Sequence, residues 1–155
     1  MGLGRLRYVA LNAVNLKVKP LARRILDEET IQTQIIKLNT QNQLYNKGVG
    51  ADGIRLGSYA PSTIRYKTTM AAHIGRDTRT DHVTLKDTGD FYRSFKVKNQ
   101  ANGFIISADT LKDGTDDLEF VYGDKILGLT NDSIAELRPE IIERLLPLVR
   151  RAILT

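Results

Sequence analysis

The chain has 155 residues, 41% of them hydrophobic and 26% charged, no cysteine, and a formal net charge of +5. That length suits one domain able to bury a core of its own, and the missing thiols exclude disulfide frameworks, thiolate catalysis and cysteine zinc sites. No apolar run approaches the ~20 residues that span a bilayer, and Met1–Arg7 lacks the apolar stretch of a signal peptide, so a protein made in the cytoplasm without a membrane partner is expected.

The charge is unevenly placed. Residues 1–24 carry Arg5, Arg7, Lys17, Lys19, Arg23 and Arg24 and no Asp or Glu, so they hold +6 while the other 131 residues sum to −1. Such a segment meets phosphates, meets an acidic patch on a partner, or remains a solvated edge. Within residues 5–19, Leu6, Tyr8, Ala10, Val14, Leu16 and Val18 fall on even positions and four of the cations on odd ones. Period two predicts an extended arm over 1–19, either a strand of the domain's own sheet or one that pairs with a neighbour.

Pro20 suits a first helical turn. Leu21, Ile25, Leu26, Ile31, Ile35, Leu38 and Tyr45 then predict one long helix to about Asn46, with Gln34, Lys37, Gln41 and Gln43 pointing elsewhere and Gly48 as the left-handed stop. Residues 47–90 read as irregular, with a short helix at Pro61–Lys67 and a mobile loop at His73–Asp81. A stretch of this length without regular structure has a task or orders against a partner. Phe91–Lys98 and Phe104–Ala108 predict an antiparallel pair turned by residues 99–103, and Leu118–Tyr122 a third strand. Between them Asp109, Asp113, Asp116, Asp117 and Glu119 form an acidic loop against Lys112 alone. A last helix begins near Asn131, capped by Thr130 or Asp132. Ile134, Leu137, Ile141, Leu145, Leu148 and Ala152 make its apolar stripe, with a kink or break expected at Pro139. The sum is α+β: a long N-terminal helix and a C-terminal helix packed on a small antiparallel sheet, with the arm at 1–19 and one domain over 20–155.

Motifs that would carry chemistry lack their contexts. Gly48-Val-Gly50-Ala-Asp-Gly53 spells the dinucleotide fingerprint, but that fingerprint works between a strand and a helix, and these glycines follow a helix. Asp113-Gly114 hints at a calcium loop, yet Leu111 and Phe120 would occupy two ligand positions. His73 and His82 lie nine apart with no zinc-site spacing. Asp81, His82, Asp87 and Asp90 are the one carboxylate–imidazole grouping that would suit a hydrolase, and they read as exposed loop residues. No nucleophile elbow is present. A protein without cofactor, metal or catalytic residues is expected.

Three segments in order resemble a known family. Tyr59-Ala-Pro-Ser-Thr63-Ile-Arg-Tyr-Lys67 is similar to a Ser/Thr…Lys segment of phage virion morphogenesis proteins, the tail-completion family of the Mu G type. Leu85-Lys-Asp-Thr88-Gly89-Asp90-Phe-Tyr-Arg-Ser94 resembles its Leu-x-x-Thr-Gly-x-x-x-x-Ser box, of which Leu85, Thr88, Gly89 and Ser94 are the defining members. Tyr122-Gly123, then Leu127-Gly128-Leu129-Thr130 and a helix, resembles its closing segment, although Phe120-Val stands where the family has His or Gln before Phe-Gly. The box also makes sense by itself: Asp87 or Thr88 caps a turn, Gly89 bends it, and Phe91 and Phe95 return to the core.

The resemblance implies a structural, non-enzymatic virion protein in a neck or tail-completion ring at the head–tail junction. It would be made in the host cytoplasm and would touch itself, other connector, neck or tail proteins, and packaged DNA. Segregated charge suggests the contact: Arg5, Arg7, Lys17, Lys19, Arg23 and Arg24 of one subunit against Asp113, Asp116, Asp117 and Glu119 of the next. The alternative is a sequence-independent nucleic-acid-binding protein that uses the same arm on phosphates.

Overall fold

The computed structural model describes residues 18–101, 103–112 and 116–154. Most of the 1–19 arm lies outside them, and so does Asp113. Val18 and Lys19, assigned to the arm from alternation, instead open a helix, α1, over residues 18–26.

The long helix expected up to Asn46 is divided. After α1 the chain turns at Asp27 and Glu28, whose N–H groups donate to Arg23 O and Ile25 O (3.0 Å each), and restarts as α2 (Glu29–Lys37). The turn lets the two helices bury Ile25, Ile31 and Ile35 in one core. From Leu38 to Lys47 the helix widens into a π-helix that ends on Gly48, φ 62°. That left-handed stop is the one expected. His82 makes it obligatory for glycine, since a Cβ at Gly48 would stand 2.3 Å from the imidazole Cδ2.

α3 (Pro61–Thr69) starts with proline in its first turn and is followed by a 3₁₀ turn at Ala71–Ile74. The expected strand from Phe91 begins later, because Asp90–Arg93 form a helical turn, α4. β1 (Lys96–Gln100) then pairs antiparallel with β2 (Gly103–Ser107), in a register from Lys96↔Ser107 to Gln100↔Gly103. The hairpin is therefore tighter than a five-residue turn allows. Phe95 and Val97 face inward while Lys96 and Lys98 face out. β3 (Leu111–Lys112) and β4 (Asp116–Asp117) make a second, two-residue pairing in the acidic loop.

The expected third strand is a helix. Leu118–Tyr122 form α5, with the Asp117 carboxylate accepting the Glu119 N–H (3.0 Å). Only Leu118 and Tyr122, four apart, pack on the core, while Phe120 and Val121 are 90% and 62% exposed. Spacing of four satisfies a helix; a strand would have aimed Leu118, Phe120 and Tyr122 the same way.

α6 (Asn131–Leu154) runs through both Pro139 and Pro147 without a break. Each proline leaves the carbonyl four residues earlier without its helical donor, and these residues, Ala135 and Glu143, lie on the exposed face, where the carbonyls are open to solvent. Thr130 caps the helix: Ser133 N–H donates to its Oγ1 (3.1 Å). The inward row is Ser133, Leu137, Ile141, Leu145 and Leu148, with Ile134 displaced to 40% exposure. α6 packs on α2, where Arg144 binds Glu28, Thr30 and Glu140. The molecule is mixed α+β, with helices gathered around a short hairpin. Among the described residues no helix is long and apolar enough to cross a membrane.

Candidate functional site

The irregular segment 48–90 is fastened by buried polar groups, so the loop expected to be mobile at 73–81 is held. Lys67, one turn after Thr63 on α3, has a side chain only 5% exposed. Its ammonium donates to the Asp77 carboxylate (2.9 Å), Asp77 O (3.0 Å) and Lys86 O (3.3 Å), which uses all three protons. Its Nζ also sits 4.9 Å from the Tyr59 ring centroid. Thr84 completes the knot. Its hydroxyl donates to the Asp77 carboxylate (3.3 Å) and accepts from Lys86 N–H (3.2 Å), and its N–H donates to the Tyr59 hydroxyl (3.0 Å). The Tyr92 hydroxyl donates to Thr84 O, and burial pushes that phenol's pKa far up.

In the π-helix that follows α2, two buried amides hold a distant segment through its backbone. Asn39 Nδ2 donates to Ile126 O (3.1 Å) and its Oδ1 accepts from Gly128 N–H (3.0 Å). Gln43 repeats the move one turn later, Nε2 to Gly128 O (2.8 Å) and Oε1 from Thr130 N–H (2.8 Å). The π-helix thus holds the irregular Ile126–Thr130 segment, which leaves the 3₁₀ turn at Asp124–Ile126, through its backbone groups. Gln43, expected to point away from the core, is 1% exposed.

Between α3, the 85–94 box and α5 lies a groove of about 460 Å³. Ser62, Thr63 and Tyr66 of α3, Leu85 and Phe91 of the box, and Leu111, Leu118 and Tyr122 line it, with Lys67, Arg76 and Lys86 as well as Asp87, Asp90 and Asp109 among its charged residues. Leu85 is held at φ 57°, the one non-glycine residue with positive φ among those described. That conformation is costly for a branched side chain and is maintained here by the adjacent Thr84 knot. In the box, Thr88 acts and Asp87 does not: Asp90 N–H donates to Thr88 Oγ1 (3.2 Å), while Asp87 pairs with Arg76 (2.8 Å). Gly89, φ 89°, lies under the Arg93 guanidinium, 2.8 Å from where a Cβ would be. Ser94 accepts Asp109 N–H on its hydroxyl (2.8 Å) and so ties the box to the end of the hairpin. Leu85, Thr88, Gly89 and Ser94 all line the groove.

The Asp81, His82, Asp87, Asp90 grouping is not assembled as one site. His82, read as exposed, is 5% exposed and packs over Gly48. Its Nε2 lies 2.8 Å from Tyr45 O and its Nδ1 2.9 Å from the Asp81 carboxylate, so both ring nitrogens are engaged within the protein. Asp81 is held down to a pKa of about 2, first by its hydrogen bond from Arg79 and then by His82. Asp90 binds Thr88 and Arg93 elsewhere. His73 is exposed on its 3₁₀ turn. Among the described residues no group of three or more His, Cys, Asp or Glu is placed to hold a metal. The Gly48–Gly53 run follows a helix and leads into an isolated bridge, Val49 to Arg55, so no helix N-terminus faces a pyrophosphate there.

Of the charged residues singled out from sequence, Lys19, Arg23 and Arg24 are exposed together on α1, and Arg5, Arg7 and Lys17 lie outside the described residues. Asp116 is in β4, Asp117 caps α5 and Glu119 is in its first turn. Asp77 and Asn39 carry no expectation from the sequence, Lys67 enters there only through the family-like segment, and Gln43 was assigned to the outer face. A signal for the amides existed, since Asn39 and Gln43 continue the every-fourth row of Ile31 and Ile35. No family model, curated protein or solved structure matches the chain.

Proposed function

We propose that this protein is a structural component of a tailed-phage virion, a neck or tail-completion subunit that assembles with copies of itself into a ring at the head–tail junction. The observation that supports it is convergence. Segments distant in sequence that carry the family resemblance, 59–67, 85–94 and Tyr122, meet around one groove, so the likeness corresponds to a contiguous surface. Beside that groove Phe120 and Val121 project 90% and 62% exposed, which suits a surface that another subunit covers.

Light scattering of the purified full chain, with negative-stain images of the same fraction, tests the reading. A uniform closed ring is expected, alone or on addition of connector proteins. A chain that stays monomeric under both conditions sinks it.

A second reading, sequence-independent nucleic-acid binding, draws on Lys19, Arg23 and Arg24, which share the exposed face of α1. It predicts retention of the monomer on DNA with a steep loss of affinity as salt rises. Substituting those three by glutamine would abolish retention under this reading and leave ring formation intact under the first only if α1 lies outside the contact.

A further inference from the structure

α6 carries apolar residues on two opposite sides. Its inner row, Leu137, Ile141 and Leu148, packs on the core. At about 100° per residue, Ala135, Pro139, Ile142, Leu146 and Val149 fall within an arc of about 80° on the far side of the helix from that row. This outer row is open. Ala135 and Pro139 are exposed, Ile142 and Leu146 are 44% and 48% exposed, and Val149 is half-buried. A surface helix keeps its outermost line polar when water is its only neighbour. An apolar line along about four turns marks a surface that something covers.

The same helix supplies the occupant. The outer row advances by four, three, four and three residues, the spacing of a coiled-coil seam, which is best covered by a helix carrying the same seam. Pro139 and Leu146 then hold a positions, and Ala135, Ile142 and Val149 d positions. Glu136, Glu143 and Arg150 flank the seam on one side, at e, and Arg138 flanks it on the other, at g. Arg138 and Glu143 are both exposed, and neither is in a salt bridge among the described residues. When two such helices run parallel, each g residue meets the e residue five positions on in its partner. Arg138 therefore faces Glu143 of the second copy, twice by symmetry, with no like charges opposed. An antiparallel pair gains Glu136 against Arg150 but sets Glu143 against itself. Because the inner row already holds α6 as a helix, pairing carries no cost of helix formation.

We propose that two copies of this chain pair through the outer face of α6, the helices parallel and related by a two-fold axis, with Ile142 and Leu146 each facing its own counterpart. The contact is isologous and goes beyond the ring reading: it joins two copies whether or not a separate head-to-tail contact closes a ring.

The natural absence of cysteine makes a cross-linking test specific. Oxidised full-length Ile142→Cys should close a disulfide to its own counterpart at about five times the yield of Ile54→Cys or more, Ile54 being 60% exposed and off the seam. Yields equal to that control overturn the proposal. A mixture of Ile142→Cys and Leu146→Cys that cross-links better than either alone overturns the parallel arrangement, because only antiparallel helices set those two residues against each other. Sedimentation of the full chain gives the second measurement. Ile142→Lys with Leu146→Lys should raise the dimer dissociation constant about a hundredfold or more, with urea unfolding of the monomer unchanged. Arg138→Glu and Glu143→Arg should each weaken the dimer severalfold, and the two together should restore it. A wild-type chain that is monomeric at every concentration, or a lysine pair that sediments as wild type, overturns the contact. Rings that persist at unchanged mass in the lysine variant reject it and leave the ring reading standing. A dimer that the lysine pair dissolves, and that never grows into a ring with or without connector proteins, keeps the contact and rejects the ring.

Discussion

Two regions of the molecule fasten irregular chain to a helical scaffold, and they do it with different chemistry. The Lys67–Asp77–Thr84 knot is centred on a buried charge pair of two side chains, with Lys67 also donating to the backbone carbonyls of Asp77 and Lys86. The Asn39–Gln43 clasp uses neutral amides whose partners are all backbone groups of residues 126–130. A buried charge left alone carries the larger penalty, but a side-chain pair can be removed as a unit. Backbone partners cannot be removed, so the clasp has no compensating substitution.

The largest expected effect is Lys67→Met, which strands the Asp77 carboxylate in the interior. Urea unfolding should show a loss of about 3–5 kcal/mol. Adding Asp77→Leu should return a substantial part of it, and a double variant no more stable than Lys67→Met alone would break the comparison. Gln43→Leu should cost about 2–4 kcal/mol by leaving Gly128 O and Thr130 N–H without partners. Here Asn39→Leu on top should lower stability further, with no recovery. Next in size is Thr130→Ala, which removes the α6 cap and should cost about 1 kcal/mol by the same measurement. The smallest effect is in acid. The Asp81 carboxyl, at about 2 in the folded chain against 3.8 in its ordinary state, gives stability that is present above pH 3.8 and disappears as pH falls through 2. Asp81→Asn should flatten the stability profile in that window and lower stability above it only slightly, because the pair is exposed.

The two regions also differ in how openly they stand in the sequence. The clasp lies on a visible row, 31–35–39–43, but amides ending an isoleucine row look like a helix face turning to solvent. Only the arrival of 126–130, more than eighty residues later, makes them interior. The knot offers no row at all. Lys67 and Asp77 are separated by a 3₁₀ turn, and Thr84 is one threonine among many. His82 was misread for the same reason: its burial depends on the absent side chain of Gly48.

Features whose cause is local were legible in the residues alone. These are the proline start of α3, the glycine stop at Gly48, the inward Phe95 and Val97 against outward Lys96 and Lys98, the Thr130 cap, and the α+β class that follows. Each depends on backbone geometry or periodicity within a few residues. The helix at Leu118–Tyr122, the unbroken α6 across Pro139, the interior fate of Gln43, Lys67 and His82, and the groove itself emerged only with the three-dimensional packing. These depend on which distant groups arrive to accept a proton, cover a face or leave a carbonyl to water. A short window of sequence holds one half of each such pair, and the energy belongs to both.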